Sequence, residues 1–145
     1  MKSRIGKTVG ELQVGDRAYF AKTLTESDMM LFAGITGDLN PLPIDEEFAR
    51  RTRFGGRIAH GMLTASFIST ILGMKLPGFG SVLHRLKVRF VAPVRLGTTI
   101  EVCVELTEVR PEDNRIAFQA TVIDQNGRTV LQGSGEASPP LALDD

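Results

Sequence analysis

The sequence predicts an α+β fold in one domain spanning residues 1–145: a long apolar helix packed on an antiparallel sheet. Three observations lead there. Residues 60–73 carry Met62, Leu63, Ala65, Phe67, Ile68, Ile71 and Leu72, interrupted only by Thr64, Ser66, Ser69 and Thr70. A helix with no wholly polar face belongs inside a protein. From residue 81 onward the pattern changes to alternation of apolar and polar side chains, the period of half-buried strands. Asn126-Gly127 is then the strongest short hairpin signal in the chain. Hairpin connections imply antiparallel neighbours, because parallel ones need crossovers.

Taken in order, residues 1–15 are mixed, with turns suggested at Gly10 and Gly15. Residues 16–23 read as a strand with Ala18, Phe20 and Lys22 on one face. Thr25 can cap a helix whose first turn holds Glu26 and Asp28, acids that oppose the positive end of the helix dipole. Met29, Met30, Phe32, Ala33 and Ile35 give that helix a broad apolar face to about Thr36, and Gly37 ends it. Residues 38–44 read as a constrained loop with two prolines. Asp45-Glu46-Glu47 opens a short helix to about Arg51, with Phe48 facing inward. Phe54-Gly55-Gly56-Arg57 breaks it before the long helix at 60–73. Pro77, Gly78 and Gly80 mark a loop at 75–80.

In the second half, Leu86, Val88 and Phe90 alternate with Arg85, Lys87 and Arg89, and Pro93 ends regular pairing. Ile100, Val102, Val104 and Leu106 form the next row, followed by a turn at 111–114. Ile116, Phe118, Ala120 and Val122 form another. The return strand, 128–137, contains glycines that suggest close packing or a bulge. The tail, 138–145, reads as loose.

Composition narrows the function classes. Hydrophobic content of 42% and charged content of 23% fit a soluble globular domain. Seventeen basic and seventeen acidic side chains balance, and no Lys/Arg run stands out, so nucleic acid is not an expected partner. One cysteine and two unclustered histidines argue against a zinc site and fit a reducing compartment. The N-terminus lacks the apolar core of a secretory signal, and no apolar run is long enough for a membrane span. The expectation is a cytoplasmic protein.

The residues fit for chemistry lie just before the long helix. Asp38-Leu39-Asn40-Pro41 is polar and rigid. Asp38 reads either as an acid–base group or as a turn residue bonding its own backbone, and Asn40 has the same two readings. His60 suits a proton donor or, with more weight, a capping or packing group at the helix start. Gly61 removes side-chain bulk so that a ligand can approach free amides, which favour a developing oxyanion. Ser69 lies two turns further on, able to bond a backbone carbonyl or a substrate. Met29, Met30, Phe32 and Leu63 read as core before tunnel lining. Arg50, Arg51, Arg53 and Arg57 form a local basic cluster, read as a solvated face before a phosphate site.

Together, D-L-N-P followed by I-D, then F-A, then R-I-A-H-G-M-L resembles the MaoC-like hydratases, especially the (R)-specific enoyl-CoA hydratases. The resemblance extends to P-G-F-G-S at 77–81 and F-V-A-P-V at 90–94, and so covers nearly the whole chain. It implies a hot-dog fold, a long helix wrapped by an antiparallel sheet, usually as a homodimer. It also implies hydration of trans-2-enoyl-CoA to (R)-3-hydroxyacyl-CoA, or the reverse, on a CoA or acyl-carrier-protein thioester without metal or redox cofactor. By position, Asp38 matches the catalytic aspartate and Asn40 the asparagine that organises its loop. Gly61 matches the glycine whose amide polarises the thioester carbonyl, and Ser69 a helix serine near the acid. His60 joins them as a candidate substrate-binding residue.

One departure stands out. The family pattern D-x-N-P-x-H puts a histidine where this chain has Pro43, which cannot shuttle a proton. Losing one member of an acid–base pair forfeits on the order of 10²–10⁴ in rate. Three readings follow: a hydratase in which Asp38 works without that imidazole, an acyl-thioester-binding protein of little or no turnover, and a hot-dog thioesterase. Retention of Asp38, Asn40, His60 and Gly61 favours the first. His60 occupies a different family position and is no replacement; His84 reads as a surface or packing residue.

Overall fold

The computed structural model describes residues 4–143. Strand β1 (Arg17–Thr23) turns half-buried Ala18, Phe20 and Lys22 inward. Helix α1 (Glu26–Thr36) starts on Thr25, whose hydroxyl accepts from the Asp28 amide while the Asp28 carboxylate accepts from the Thr25 amide. This reciprocal cap satisfies two backbone donors at the helix start. Gly37 closes the helix at φ 75°, a left-handed conformation that favours glycine.

The segment expected to be a loop, 38–44, contains a one-turn helix, α2 (Pro41–Ile44). Pro41 at the first helical position needs no amide partner, and the Asn40 side chain accepts from the Leu42 amide. Helix α3 (Glu46–Arg50) follows on an Asp45 cap. Small Ala49, not Phe48, is its inward residue, and Phe48 remains 47% exposed. The apolar face expected of α1 is narrower too. Met29 and Ala33 are buried and Phe32 packs on the core, but Met30 is exposed and Ile35 is 83% exposed.

Helix α4 (Gly61–Met74) crosses the sheet. Leu63, Ala65, Ile68, Ile71 and Leu72 sink into one cluster with Val102, Val104, Leu106, Ile116, Phe118 and Val122. Each fully buried Leu or Ile side chain contributes roughly 1.5–3 kcal/mol, so this face fixes the helix. The expectation of burial all round is corrected: Met62 is 57% exposed, and Ser66 and Ser69 are exposed. One side of α4 has no cover among the described residues.

Strands β2 (Val82–Phe90), β3 (Thr99–Arg110), β4 (Arg115–Asp124) and β5 (Thr129–Ser138) complete a five-stranded antiparallel sheet of order β1-β3-β4-β5-β2. Strands β3, β4 and β5 join by the expected turns, but β2 lies on the far edge beside β5. Gly135 permits this pairing, since a Cβ there would stand 2.0 Å from the Arg85 carbonyl oxygen. The result is the hot-dog arrangement. The tail is not loose where it leaves the sheet: Ser138 ends β5, Pro139 and Pro140 are buried, and Asn114 donates its side-chain amide to the Pro139 carbonyl at 3.0 Å. Residues 144–145 lie outside the described chain.

Candidate active site

The Asp38 loop is built from nested side-chain-to-backbone hydrogen bonds. The Thr36 hydroxyl accepts from the Asp38 amide, Asp38 Oδ1 accepts from the Asn40 amide, and Asn40 Oδ1 accepts from the Leu42 amide, each at 3.1 Å. Such turns hold the loop without help from distant elements. One carboxylate oxygen of Asp38 is thereby used structurally. The other has no hydrogen-bond partner among the described residues, and the side chain is exposed. Asn40 acts as the α2 cap.

Pro43 is buried, and its carbonyl oxygen accepts from Arg57 Nε at 2.7 Å. Arg57 also donates through Nη1 and Nη2 to the two Glu26 carboxylate oxygens, at 2.6 and 3.1 Å. The Glu26 carboxyl is held below the usual carboxylate range, first by these hydrogen bonds. The expected basic cluster is thus divided: Arg57 faces Glu26, Arg50 pairs with Glu46 and Glu47, and Arg53 lies over the Phe54 ring.

His60 precedes α4, is 6% exposed, and makes no cap hydrogen bond. Among the described residues neither ring nitrogen has a partner, and the ring centroid sits 4.8 Å from that of Phe32. The Leu63 amide donates to the His60 carbonyl at 3.1 Å, while the Gly61 and Met62 amides have no partner among the described residues and are open to an incoming acceptor. Gly61 faces a cavity of about 350 Å³ lined also by Thr64, Phe90, Val94, Val130 and Leu131. The Phe90 ring lies so close that a Cβ on Gly61 would meet it at 2.8 Å. Apolar walls around open amides strengthen any electrostatic contact made there.

The structure therefore joins Asp38 to Asn40 and sets His60 beside Gly61. Neither Asp38 nor Asn40 lines the cavity that Gly61 opens onto. Ser69 lies two turns along α4 on its exposed side. Met29, Phe32 and Leu63 belong to the core rather than to this cavity. His84 bonds Ser138 at 2.6 Å on the surface. Among the described residues, no group of three or more His, Cys, Asp or Glu is placed to hold a metal, and no helix is long and apolar enough to cross a membrane. Sequence reasoning missed Phe90 and Thr64 as neighbours of Gly61, and Arg57 as a link between the loop and the α4 start. Nothing local in sequence pairs Arg57 with residues 14 and 31 positions away.

Residues 12–127 match the MaoC like domain family, and the chain belongs to it. It is 41% identical over 130 residues to the (R)-specific enoyl-CoA hydratase of Rhodospirillum rubrum, with 90% of each chain covered. It is 42% identical over 140 residues to the 3-hydroxybutyryl-CoA dehydratase of Methylorubrum extorquens, covering 92% of this chain and 88% of that one. Among solved structures, the unliganded R-hydratase PhaJ1 from Pseudomonas aeruginosa superposes with TM-score 0.88 at 35% identity, covering 97% of this chain and 93% of that one.

Proposed function

We propose that the protein is an (R)-specific enoyl-CoA hydratase, working also in reverse as a 3-hydroxyacyl-CoA dehydratase, with Asp38 as its acid–base group. The observation that carries this reading is the uncapped start of α4, where Gly61 opens onto an apolar cavity. Likeness to curated hydratases and dehydratases of near-equal length supports it.

In this mechanism the thioester carbonyl rests on the Gly61 amide. Asp38 takes a proton from water as the hydroxyl adds to Cβ. Electron density moves through Cα to the carbonyl oxygen, where the amide stabilises the enolate charge. Asp38 returns the proton to Cα and is regenerated. Asn40 keeps the loop in shape, His60 leads into the Gly61 amide, and Ser69 is assigned to substrate contact from the exposed side of α4. Pro43 takes no share of the proton work. Pro43 favours one second reading, a thioester-binding protein with little turnover. Hydrolysis at the carbonyl has no specific support in the site.

Exposed apolar side chains on the open side of α4 and along β2, Met62 and Phe90 among them, support a homodimer. Among the described residues, strand β2 pairs with β5 alone. The free thiol of Cys103 fits a cytoplasmic setting.

The test follows crotonyl-CoA by loss of its conjugated enoyl absorbance, with the configuration of the 3-hydroxy product and the release of free CoA measured in parallel. (R)-3-hydroxybutyryl-CoA without free thiol is the expected result. Release of CoA without hydration would replace this reading with a thioesterase.

A further inference from the structure

We propose that Arg57 is a positioning residue, which holds the Asp38 loop at a fixed offset from the segment that ends on Gly61. This rests on the hydratase reading, in which the carboxylate and the amide act on one substrate. Arg57 lies four residues before Gly61, on a stretch pinned to the end of the sheet. Ile58 bridges to Arg95, and the Ala59 amide donates to the Val94 carbonyl at 2.7 Å. The backbone between Arg57 and Gly61 therefore has little freedom.

The side chain reaches the other way. It is only 10% exposed, and all three guanidinium nitrogens are engaged, Nε by the Pro43 carbonyl and the other two by Glu26. A planar fork bound at three points fixes direction as well as distance, which a single ammonium could not do. The loop beyond Pro43 is stiff enough to transmit that position. Its nested turns run from Thr36 to Leu42, and the Asp45 amide closes α2 on the Pro41 carbonyl at 2.8 Å. Two prolines restrict its backbone further.

Arg57 thus ties together the first turn of α1, the loop carrying Asp38, and the lead-in to the α4 amides. Pro43 has a buried ring and no amide hydrogen, so its carbonyl is the polar handle it offers. At the position where a partner imidazole is absent, the chain uses that carbonyl as an anchor. Placement matters because a misplacement of about 1 Å at a reacting group costs on the order of 10²-fold in rate.

The experiment compares wild type with Arg57→Ala, Arg57→Lys and Glu26→Ala, each checked for folding by circular dichroism. With crotonyl-CoA, Arg57→Ala should lose about 10- to 100-fold in kcat with KM changed less than about threefold. Added guanidinium should recover part of the loss, and Arg57→Lys should fall between. Unchanged kcat, or a loss confined to KM, overturns the proposal. If Arg57→Ala does not fold, Glu26→Ala decides, since Glu26 is 56% exposed and its removal frees two of the three anchors. A severalfold fall in kcat at constant KM supports the clamp, and wild-type kcat overturns it. Amide hydrogen exchange in the loop separates this question from the activity itself. Faster exchange at Asn40 and Leu42 in the variants supports the clamp even if wild type shows no hydration, which would count against the hydratase reading alone. Unchanged exchange rejects the clamp.

Discussion

The Phe90 ring leans over Gly61 so closely that a Cβ at position 61 would stand 2.8 Å from its edge. The atoms in the way belong to a side-chain ring rather than to backbone, so the ring can turn aside. Gly61→Ala should therefore fold. The displaced ring would crowd the cavity mouth. We expect KM for crotonyl-CoA to rise about tenfold and the Gly61→Ala/Phe90→Ala double variant to regain most of the loss. Steady-state kinetics on the two variants checks this.

Gly135 poses a different constraint. Its missing Cβ would stand 2.0 Å from the Arg85 carbonyl oxygen and 2.8 Å from Phe118 Cζ. The first neighbour is backbone in a paired strand and cannot rotate aside. Gly135→Ala should destabilise by roughly 3 kcal/mol, at the upper end of overpacking costs. A lower urea midpoint with an unchanged slope is the expected signature.

Hydrogen bonds from Arg57 hold the Glu26 carboxyl below its ordinary value of 4.5, and those from Arg17 do the same for Glu105. The unfolded chain then binds protons more readily than the folded one. Their contribution is complete above about pH 4.5 and is lost as pH falls through the lower folded-state values. Both groups are solvated, so the effect is modest. The urea midpoint should stay level from about pH 7 to 5.5 and fall below about 4.5. Arg57→Ala should show a shallower fall.

The open side of α4 should close against a second copy of the chain. Sedimentation equilibrium should give about twice the 15.8 kDa chain mass. Met62→Glu would place a charge on that side of α4 and should shift the protein toward monomer.

Elements set by short-range chemistry were legible in the sequence. Thr25 and Gly37 bracket α1 as their capping chemistry requires, and the rows Ile100–Leu106 and Ile116–Val122 are buried at period two. Features that depend on distant partners were not. Alternation in β2 says nothing about which edge it joins, a choice that depends on space above Gly135. Phe48 and Ile35 have the hydrophobicity of core residues but lie 47% and 83% exposed, away from the core. Of the candidate site, Asp38, Asn40, His60, Gly61 and Ser69 stood out by motif. Phe90 over Gly61 and Arg57 on Pro43 required the fold, because neither pair is related by any local period.

The central claim is that Asp38 performs the proton transfers without an imidazole at position 43. Crotonyl-CoA hydration by wild type, Asp38→Asn and Pro43→His, measured side by side, tests it most directly. We expect clear wild-type turnover and a loss of about 10²–10⁴ in Asp38→Asn. An inert wild type with activity appearing only in Pro43→His would contradict it.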